Sequence, residues 1–164
     1  MMLEELLRTH REEFRRKVVS ALAKKHGASE EDVRSRFADA IERFIQEKYE
    51  VVEKVVARLN ALSQERPVLL NIRRDPCSEE VCMICERARP NVEALKRIYG
   101  ESITFYEIFD SSPEVALYHI IHQGEGEKLL PMNAIIHKGE VVKFWTGRPV
   151  AVEEYQKYLD NILQ

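Results

Sequence analysis

The spacing of the apolar residues changes at Pro67, and this change limits the folds that the chain can adopt. Before Pro67, apolar side chains recur every three or four residues, which is typical of amphipathic helices. After it, apolar stretches of strand type at 68–72, 103–109 and 132–147 alternate with helical patterns. The last stretch turns at Lys138–Gly139, as a β-hairpin does. This alternation predicts an α/β layer fold.

The segment before Pro67 predicts two helices. Residues 3–26 carry an apolar stripe, and Gly27 follows them, a residue suited to the left-handed end of a helix. A second helix is expected to begin at Ser29, where Asp32 completes a near capping box. If this helix runs unbroken to residue 63, it is about 50 Å long, against about 36 Å for its partner.

This difference in length predicts how the chain is divided. We expect a helical hairpin arm at 1–50 and a second domain at 51–164. The second half of the longer helix should be buried against that domain through four valines: Val51, Val52, Val55 and Val56.

Charge and composition exclude several functions. The formal net charge is −3 with acids and bases interleaved, so we expect no nucleic-acid partner. No apolar run approaches the ~18 residues of a membrane-spanning helix, so no membrane partner is expected either. The opening residues, MMLEELLRTHREEF, are charged and lack the apolar centre of a signal peptide, which predicts a cytoplasmic protein. We find no Ser–His–Asp triad and no phosphate-binding glycine loop.

All three cysteines lie in one short stretch, RRDPCSEEVCMICERARP (73–90). In a cytoplasmic protein such a cluster indicates metal or redox chemistry before a disulfide scaffold. Cys82 and Cys85 stand three residues apart at the start of a helical pattern, so they would share one helix face. The first turn of a helix favours a thiolate, because its free N–H groups and its dipole lower the pKa of a thiol. Redox, metal and purely structural roles all stay open at this point.

Four further residues accompany the CMIC motif at informative distances. Pro90 lies five residues after the second cysteine, within the predicted helix. Pro131 begins the first hairpin strand, and Gly139 and Gly147 follow it at steps of eight residues. With these features, the chain from about residue 50 onward resembles the thioredoxin fold. The resemblance implies a three-layer α/β/α domain with a central mixed sheet, here preceded by the helical hairpin.

The same resemblance implies a function, which is thiol–disulfide exchange on protein substrates. Cys82 would be the attacking thiol and Cys85 the resolving thiol. Cys77 would be an auxiliary redox thiol that forms a regulatory disulfide with either of them. The Leu130–Pro131 peptide bond would be cis, and these two residues would flank the cysteines and contact an extended substrate segment. No cofactor and no metal are expected for this activity.

The chain departs from the thioredoxin pattern around the cysteines. Val81 stands where the family usually has Trp, and Met83–Ile84 stand where it has Gly-Pro. Asn71 takes the place of a buried acid, and an amide cannot accept a proton there. Residues 77–81 are an insertion at the active-site turn.

The insertion affects the charges beside the cysteines. If Ser78 caps the helix, Glu79 and Glu80 occupy its first turn, where carboxylates oppose thiolate formation. Three arginines are then expected to compensate: Arg73, Arg74 and Arg87.

Other hypotheses remain open beside the redox hypothesis. Either His119 or His122 would complete a Cys3His zinc site with the three cysteines. Alternatively, the domain is a docking module that has lost catalysis. The apolar stripe of the arm predicts packing in cis or a homodimer through the N-terminal helices. We expect Trp145 to fill the core, and His10 and His137 to lie at a surface or an interface.

Overall fold

The computed structural model describes all residues from 1 to 164. Its helices are α1 (Leu3–His26), α2 (Glu30–Arg36), α3 (Ala38–Glu65), α4 (Met83–Tyr99), α5 (Leu117–Ile121) and α6 (Val152–Leu163). Its strands are β1 (Val68–Arg73), β2 (Thr104–Phe109), β3 (Met132–His137) and β4 (Glu140–Thr146). Short 3-10 turns lie at Gly100–Ser102 and Pro113–Ala116. Every strand predicted from the apolar runs is present.

The four strands form one mixed sheet in the order β2-β1-β3-β4. Strand β1 runs parallel to β2 and antiparallel to β3, and β3 pairs with β4 through the hairpin. Val68, Leu70 and Ile72 of β1 face a core that they share with α1, α3 and α5. Leu69, on the other face, packs in a second core with α4 and α6. The predicted three-layer α/β/α architecture is therefore confirmed.

The hairpin is fixed at both of its ends. Lys138 and Gly139 both have positive φ, 50° and 76°, which suits the two-residue turn expected from the sequence. The Gly139 N–H donates to the hydroxyl of Ser63 at 2.9 Å, so the turn is tied to the end of α3. Near the other end, Trp145 fills the second core, with its ring centroid 5.0 Å from that of Tyr155.

The second helical segment is broken at Phe37. This residue leaves the helical conformation, at φ −115° and ψ 19°, and its ring stacks on His26 with the centroids 5.1 Å apart. The N–H of Phe37 still donates to the carbonyl of Val33, and the carbonyl of Phe37 accepts from the N–H of Ile41 in α3. The two helices therefore meet at this single residue. The second helical segment is therefore two helices, α2 and α3, rather than one unbroken helix.

Helix α3 links the arm to the sheet. It has 28 residues, about 42 Å in length, and continues through the expected boundary at residue 50. Val52, Val55 and Val56 are buried as predicted, whereas Val51 is exposed. Arm and sheet residues belong to one core cluster. No helix is both long and apolar enough to cross a membrane.

Candidate active site

The loop between β1 and α4, residues 74–82, is ordered by Asp75. One carboxylate oxygen of Asp75 accepts from the backbone N–H of Cys77 at 2.8 Å, and the other accepts from the hydroxyl of Ser111 at 2.6 Å. These hydrogen bonds, that of Ser111 first, hold the pKa of the Asp75 carboxyl below its usual value. The backbone N–H of Asp75 donates to Asp110 at 2.8 Å. The loop is therefore ordered by hydrogen bonds and is attached to Asp110 and Ser111, which follow β2.

Two of the three arginines expected to favour a thiolate, Arg73 and Arg74, are paired with acids. Arg73 pairs with Glu107 at 2.9 Å. Arg74 pairs with Glu80 at 2.9 Å and with Asp110 at 3.0 Å. Their positive charges serve the sheet end and the loop rather than the cysteines.

Helix α4 begins one residue after Cys82, which is its N-cap. The expectation that Ser78 caps this helix is wrong. The Ser78 hydroxyl accepts from the N–H of Glu80 at 3.3 Å in a separate turn, so Glu79 and Glu80 lie outside the first helical turn. The carboxylates thought to oppose a thiolate are thus displaced from the helix end.

Cys82 and Cys85 form a disulfide, with their Cα atoms 5.2 Å apart. The Sγ of Cys82 also accepts the backbone N–H of Cys85 at 3.1 Å. Cys82 is half-buried, whereas Cys85 is only 3% exposed. Val81 and Met83, on either side of Cys82, are 69% and 61% exposed. Solvent therefore meets Cys82 rather than Cys85, within an apolar rim.

A cavity of about 250 Å³ adjoins the disulfide. Both cysteines line it, together with residues of the inserted loop and with Glu86 of α4. The insertion thus forms one wall of a crevice in which a partner could reach the sulfurs.

Asn71 and Asn133 form a buried amide pair on the α4 side of the sheet. They are register partners on β1 and β3, and Nδ2 of Asn71 donates to Oδ1 of Asn133 at 2.7 Å. Asn133 is fully buried, and its own Nδ2 has no hydrogen-bond partner. Side chains alternate along a strand, so the pair faces the same side as Leu69 and Ile135. No proton acceptor takes the place of the missing acid.

The peptide bond between Leu130 and Pro131 is cis. Pro131 immediately precedes Met132, the register partner of Ile72 near the end of β1. Pro131 therefore lies at the same end of the two central strands, β1 and β3, as the start of the cysteine loop.

The segment around Pro131 is held by two hydrogen bonds that were not predicted from the sequence. The Tyr118 hydroxyl donates to the carbonyl of Leu129 at 2.6 Å, and the Gly147 N–H donates to the carbonyl of Pro131 at 3.0 Å. Gly147 has φ 71°, and a Cβ there would lie 2.8 Å from the Cβ of Leu129. Only glycine lets the two segments approach so closely.

No protein-family model and no curated protein matches this sequence. Among solved structures, a chain from a complex of ferredoxin:thioredoxin reductase with thioredoxin f2 superposes with a TM-score of 0.50 and 16% identity. The match covers 69% of this chain and 91% of that chain. A redox protein from Chlamydomonas reinhardtii gives a TM-score of 0.50 at 19% identity, over 68% of this chain and 33% of that one, so the match spans a third of its length. This chain has a thioredoxin fold.

Within this thioredoxin fold, Cys77 and the two histidines are not part of the Cys82–Cys85 disulfide. Cys77 is a free, exposed thiol on the inserted loop. His119 belongs to α5 and His122 ends it, on the sheet face opposite α4. No group of three or more His, Cys, Asp or Glu side chains is placed to hold a metal, so the Cys3His arrangement is not assembled.

The thioredoxin fold also reveals site residues that sequence reasoning missed. Asn133 follows Pro131 by two residues, and a polar residue inside an apolar strand was the signal that could have identified it. Asp75 and Tyr118 gave no comparable signal, because the apolar pattern does not show that they contact Ser111, 36 residues away, and Leu129, 11 residues away.

Proposed function

We propose that this chain is a thiol–disulfide oxidoreductase that acts on protein substrates through Cys82 and Cys85. The observation that carries the proposal is the disulfide at the start of α4, in which the first cysteine is half-buried and the second is fully buried. Such asymmetry suits a pair in which one thiol attacks a partner and the other resolves the mixed disulfide.

The exchange balances in two steps. The Cys82 thiolate attacks one sulfur of a substrate disulfide, and a mixed disulfide forms while the other substrate sulfur leaves as a thiolate. The Cys85 thiolate then attacks the Cys82 sulfur, closes the Cys82–Cys85 disulfide and releases the second substrate thiolate. Two electrons pass from the dithiol to the substrate, and the released thiolates take up the two protons. A substrate dithiol that meets the Cys82–Cys85 disulfide runs the same steps in reverse.

The helix start supports Cys82 as the attacking thiol. Its sulfur lies at the N-terminal end of α4, where free N–H groups and the helix dipole stabilise negative charge. Glu86 is the one acidic residue of the first turn, which is less opposition than the sequence had predicted. A reduced Cys82 is therefore suited to react as thiolate.

We assign the contact with substrate to Leu130 and Pro131, together with the exposed rim formed by Val81 and Met83. An extended substrate segment would lie along the backbone before β3, as the resemblance to thioredoxins implies. The apolar rim would favour hydrophobic residues beside the substrate cysteine.

Cys77 is proposed as an auxiliary thiol. It lies on the same loop as Cys82 and is exposed, so it is available for exchange with the pair after Cys82 has formed a mixed disulfide. Its loss should change the distribution of disulfides and leave the basic exchange intact.

Insulin reduction by dithiothreitol tests the proposal. We expect the wild type to accelerate the reaction, Cys82→Ser to abolish the acceleration and Cys77→Ser to retain most of it. Serine is a good N-cap residue, so Cys82→Ser should keep the helix start and the fold, which circular dichroism would verify. Equal rates for the wild type and Cys82→Ser would refute the enzyme proposal.

The docking-module hypothesis rests on one specific observation, the amide pair in place of a proton-accepting acid. It would gain support if no protein accelerates insulin reduction and a substrate-trapping variant, Cys85→Ser, captures no partner through a mixed disulfide. The zinc hypothesis has no comparable support.

A homodimer through the N-terminal helices and a cytoplasmic location remain predictions. Phe44 and Val51 are exposed apolar side chains on α3 and would lie in such an interface. Analytical ultracentrifugation of the wild type and Phe44→Glu tests the dimer. We expect a concentration-dependent dimer for the wild type and a monomer for the variant.

A further inference from the structure

A second cavity lies between the N-terminal arm and α5, on the sheet face opposite α4. Its volume is about 310 Å³, and its walls come from α1, α3, α5 and the loop after α5. Gln123, which lines it, fastens two of these walls, because its side-chain amide donates to the carbonyls of Leu6 at 2.7 Å and Ile120 at 2.8 Å. These hydrogen bonds fix the position of α1 relative to α5 at the cavity. The cavity shares no lining residue with the crevice beside the disulfide.

The lining of this cavity is strongly basic. Three lysines and three histidines contribute to it: Lys17, Lys48, Lys128, His10, His119 and His122. The lining includes one acid, Glu13. In a chain of net charge −3, this is a marked local excess of positive charge.

The lysines of the cavity lack carboxylate partners. The lysine ion pairs of the protein are made elsewhere, at Lys54 and Lys96. Arg11 and Arg15, on the same helix α1, are both paired with glutamates of α3. The sequence therefore supplies acids to the neighbouring arginines but leaves the cavity lysines without a counter-ion.

Lys128 sets the arrangement of one wall. Its ammonium donates to the carbonyls of His122 at 2.6 Å and Gly124 at 2.7 Å, and it contacts Nδ1 of His122 at 2.5 Å. Because an ammonium can only donate, Nδ1 must accept and the ring proton of neutral His122 lies on Nε2. The three Lys128 protons are thereby used, and this residue contributes charge rather than a free donor.

Two lysines keep free donors. Lys17 makes no hydrogen bond, and the Nζ of Lys48 lies 4.5 Å from the ring centroid of Phe14 without a polar partner. The positive charges also act on the histidines. Burial first, and then the neighbouring cationic groups, lower the pKa values of the three imidazoles. A bound anion would reverse the second of these causes.

We propose that this cavity binds a small molecule that carries two or more adjacent phosphate groups. The volume is at the lower end of small-molecule sites, which suits a compact anion. Lysine ammonium groups bind phosphate as point charges, and a protonated imidazole adds a further donor. Three lysine ammonium groups that converge from α1, α3 and the loop after α5 match a multivalent anion better than a single carboxylate.

Calorimetric titration of the full chain with sodium pyrophosphate tests the proposal. We expect saturable one-to-one binding with a Kd below about 1 mM, weakened about tenfold by Lys48→Met and likewise by Lys17→Met. Lys157→Met is the matched control, because Lys157 is exposed on α6, beyond the opposite face of the sheet. Binding that is absent at about 5 mM, or that Lys157→Met weakens equally, would overturn the proposal.

A second readout locates the anion independently of affinity. In proton–carbon correlation spectra of the histidine rings, pyrophosphate should shift the signals of His10, His119 and His122. His26 and His137 lie outside the cavity lining and should keep theirs. Shifts confined to His26 or His137 would contradict the assignment.

Two further ligands refine the experiment. Sulfate keeps its two charges between pH 5.5 and 8, so tighter sulfate binding at the lower pH would report protonation of the cavity imidazoles, and equal binding would exclude their part in it. The charges that face them are Glu13 and Lys17 on α1, Lys48 on α3 and Lys128 after α5. Binding of ATP as tight as that of pyrophosphate would indicate a nucleotide, and exclusion of ATP a free oligophosphate.

Discussion

The backbone N–H of Cys85 donates to the Sγ of Cys82 at 3.1 Å, so α4 is capped by the more exposed of its two cysteines. A cap of this kind stabilises the helix start in the same contact that would hold a thiolate after reduction. The two cysteines are therefore unequal before any substrate arrives. Cys82 is the half-buried member of the pair, and Cys85 is the buried one.

This inequality predicts the order of alkylation in the reduced protein. We expect iodoacetamide to modify Cys82 at least about tenfold faster than Cys85, because the second thiol is buried. Mass spectrometry of quenched time points measures both rates, with the exposed Cys77 as the internal reference. Faster alkylation of Cys85 would reverse the assigned roles.

The amide pair predicts an unusual mutational pattern. Asn71→Ala leaves the fully buried Asn133 amide without any partner and should lower the free energy of unfolding by about 1–3 kcal/mol. The double variant Asn71→Val, Asn133→Val removes both polar groups and should cost less than the single change. Urea unfolding of the oxidised proteins measures both effects. A double variant less stable than Asn71→Ala would show that the pair itself is stabilising.

Gly147 predicts a local defect beside Pro131. Gly147→Ala places a Cβ against Leu129 at a residue with φ 71°, and we expect it to lower the free energy of unfolding by more than about 1 kcal/mol. It should also slow insulin reduction, since Leu129 adjoins the proposed substrate contact. Gly124→Ala is the control, because nothing lies within 4 Å of its Cβ position. Similar losses for the two variants would argue against a special role of Gly147.

His10 predicts how stability depends on pH. Burial, then the charges of His119, Lys48 and Lys17, lower its pKa from the usual 6.5, while Glu13 raises it slightly. The unfolded chain therefore binds more protons than the folded chain below about pH 6.5, so stability falls as the pH drops from there towards the folded-state pKa.

Urea unfolding at pH 7.5 and pH 5.5 checks this sign. We expect His10→Gln to lose less stability than the wild type over this interval. The Asp75 carboxyl, whose pKa is also lowered, titrates well below it. A larger loss in His10→Gln would contradict the prediction.

The layers of the fold could be predicted because apolar periodicity is a local property of the sequence. The strands and their flanking helices follow from it. The CMIC motif with its prolines predicted which end of the sheet carries the candidate site. The break at Phe37 could not be predicted, because Phe37 continues the apolar repeat and leaves it only to pack on His26. Val51 was expected to be buried with Val52, but it lies about 40° beyond Val55 around the helix, at the margin of the buried stripe.

The site was harder to predict where distant segments decide it. Ser78 has the better capping residue type, but Asp75, held by Ser111 of another segment, places the loop so that Cys82 takes that position. The basic cavity draws its three lysines and three histidines from α1, from α3 and from α5 with the loop that follows it, and none of these segments is basic enough to attract notice alone. Tertiary proximity of this kind has no signature in the linear pattern.

Helix α3 passes without interruption from the arm into the core beneath the sheet. A continuous helix of this kind is rigid, because a sharp bend would break several consecutive backbone hydrogen bonds. The arm therefore cannot swing like a tether. A molecule bound to the arm is therefore held at a fixed distance and angle from the crevice beside the two cysteines.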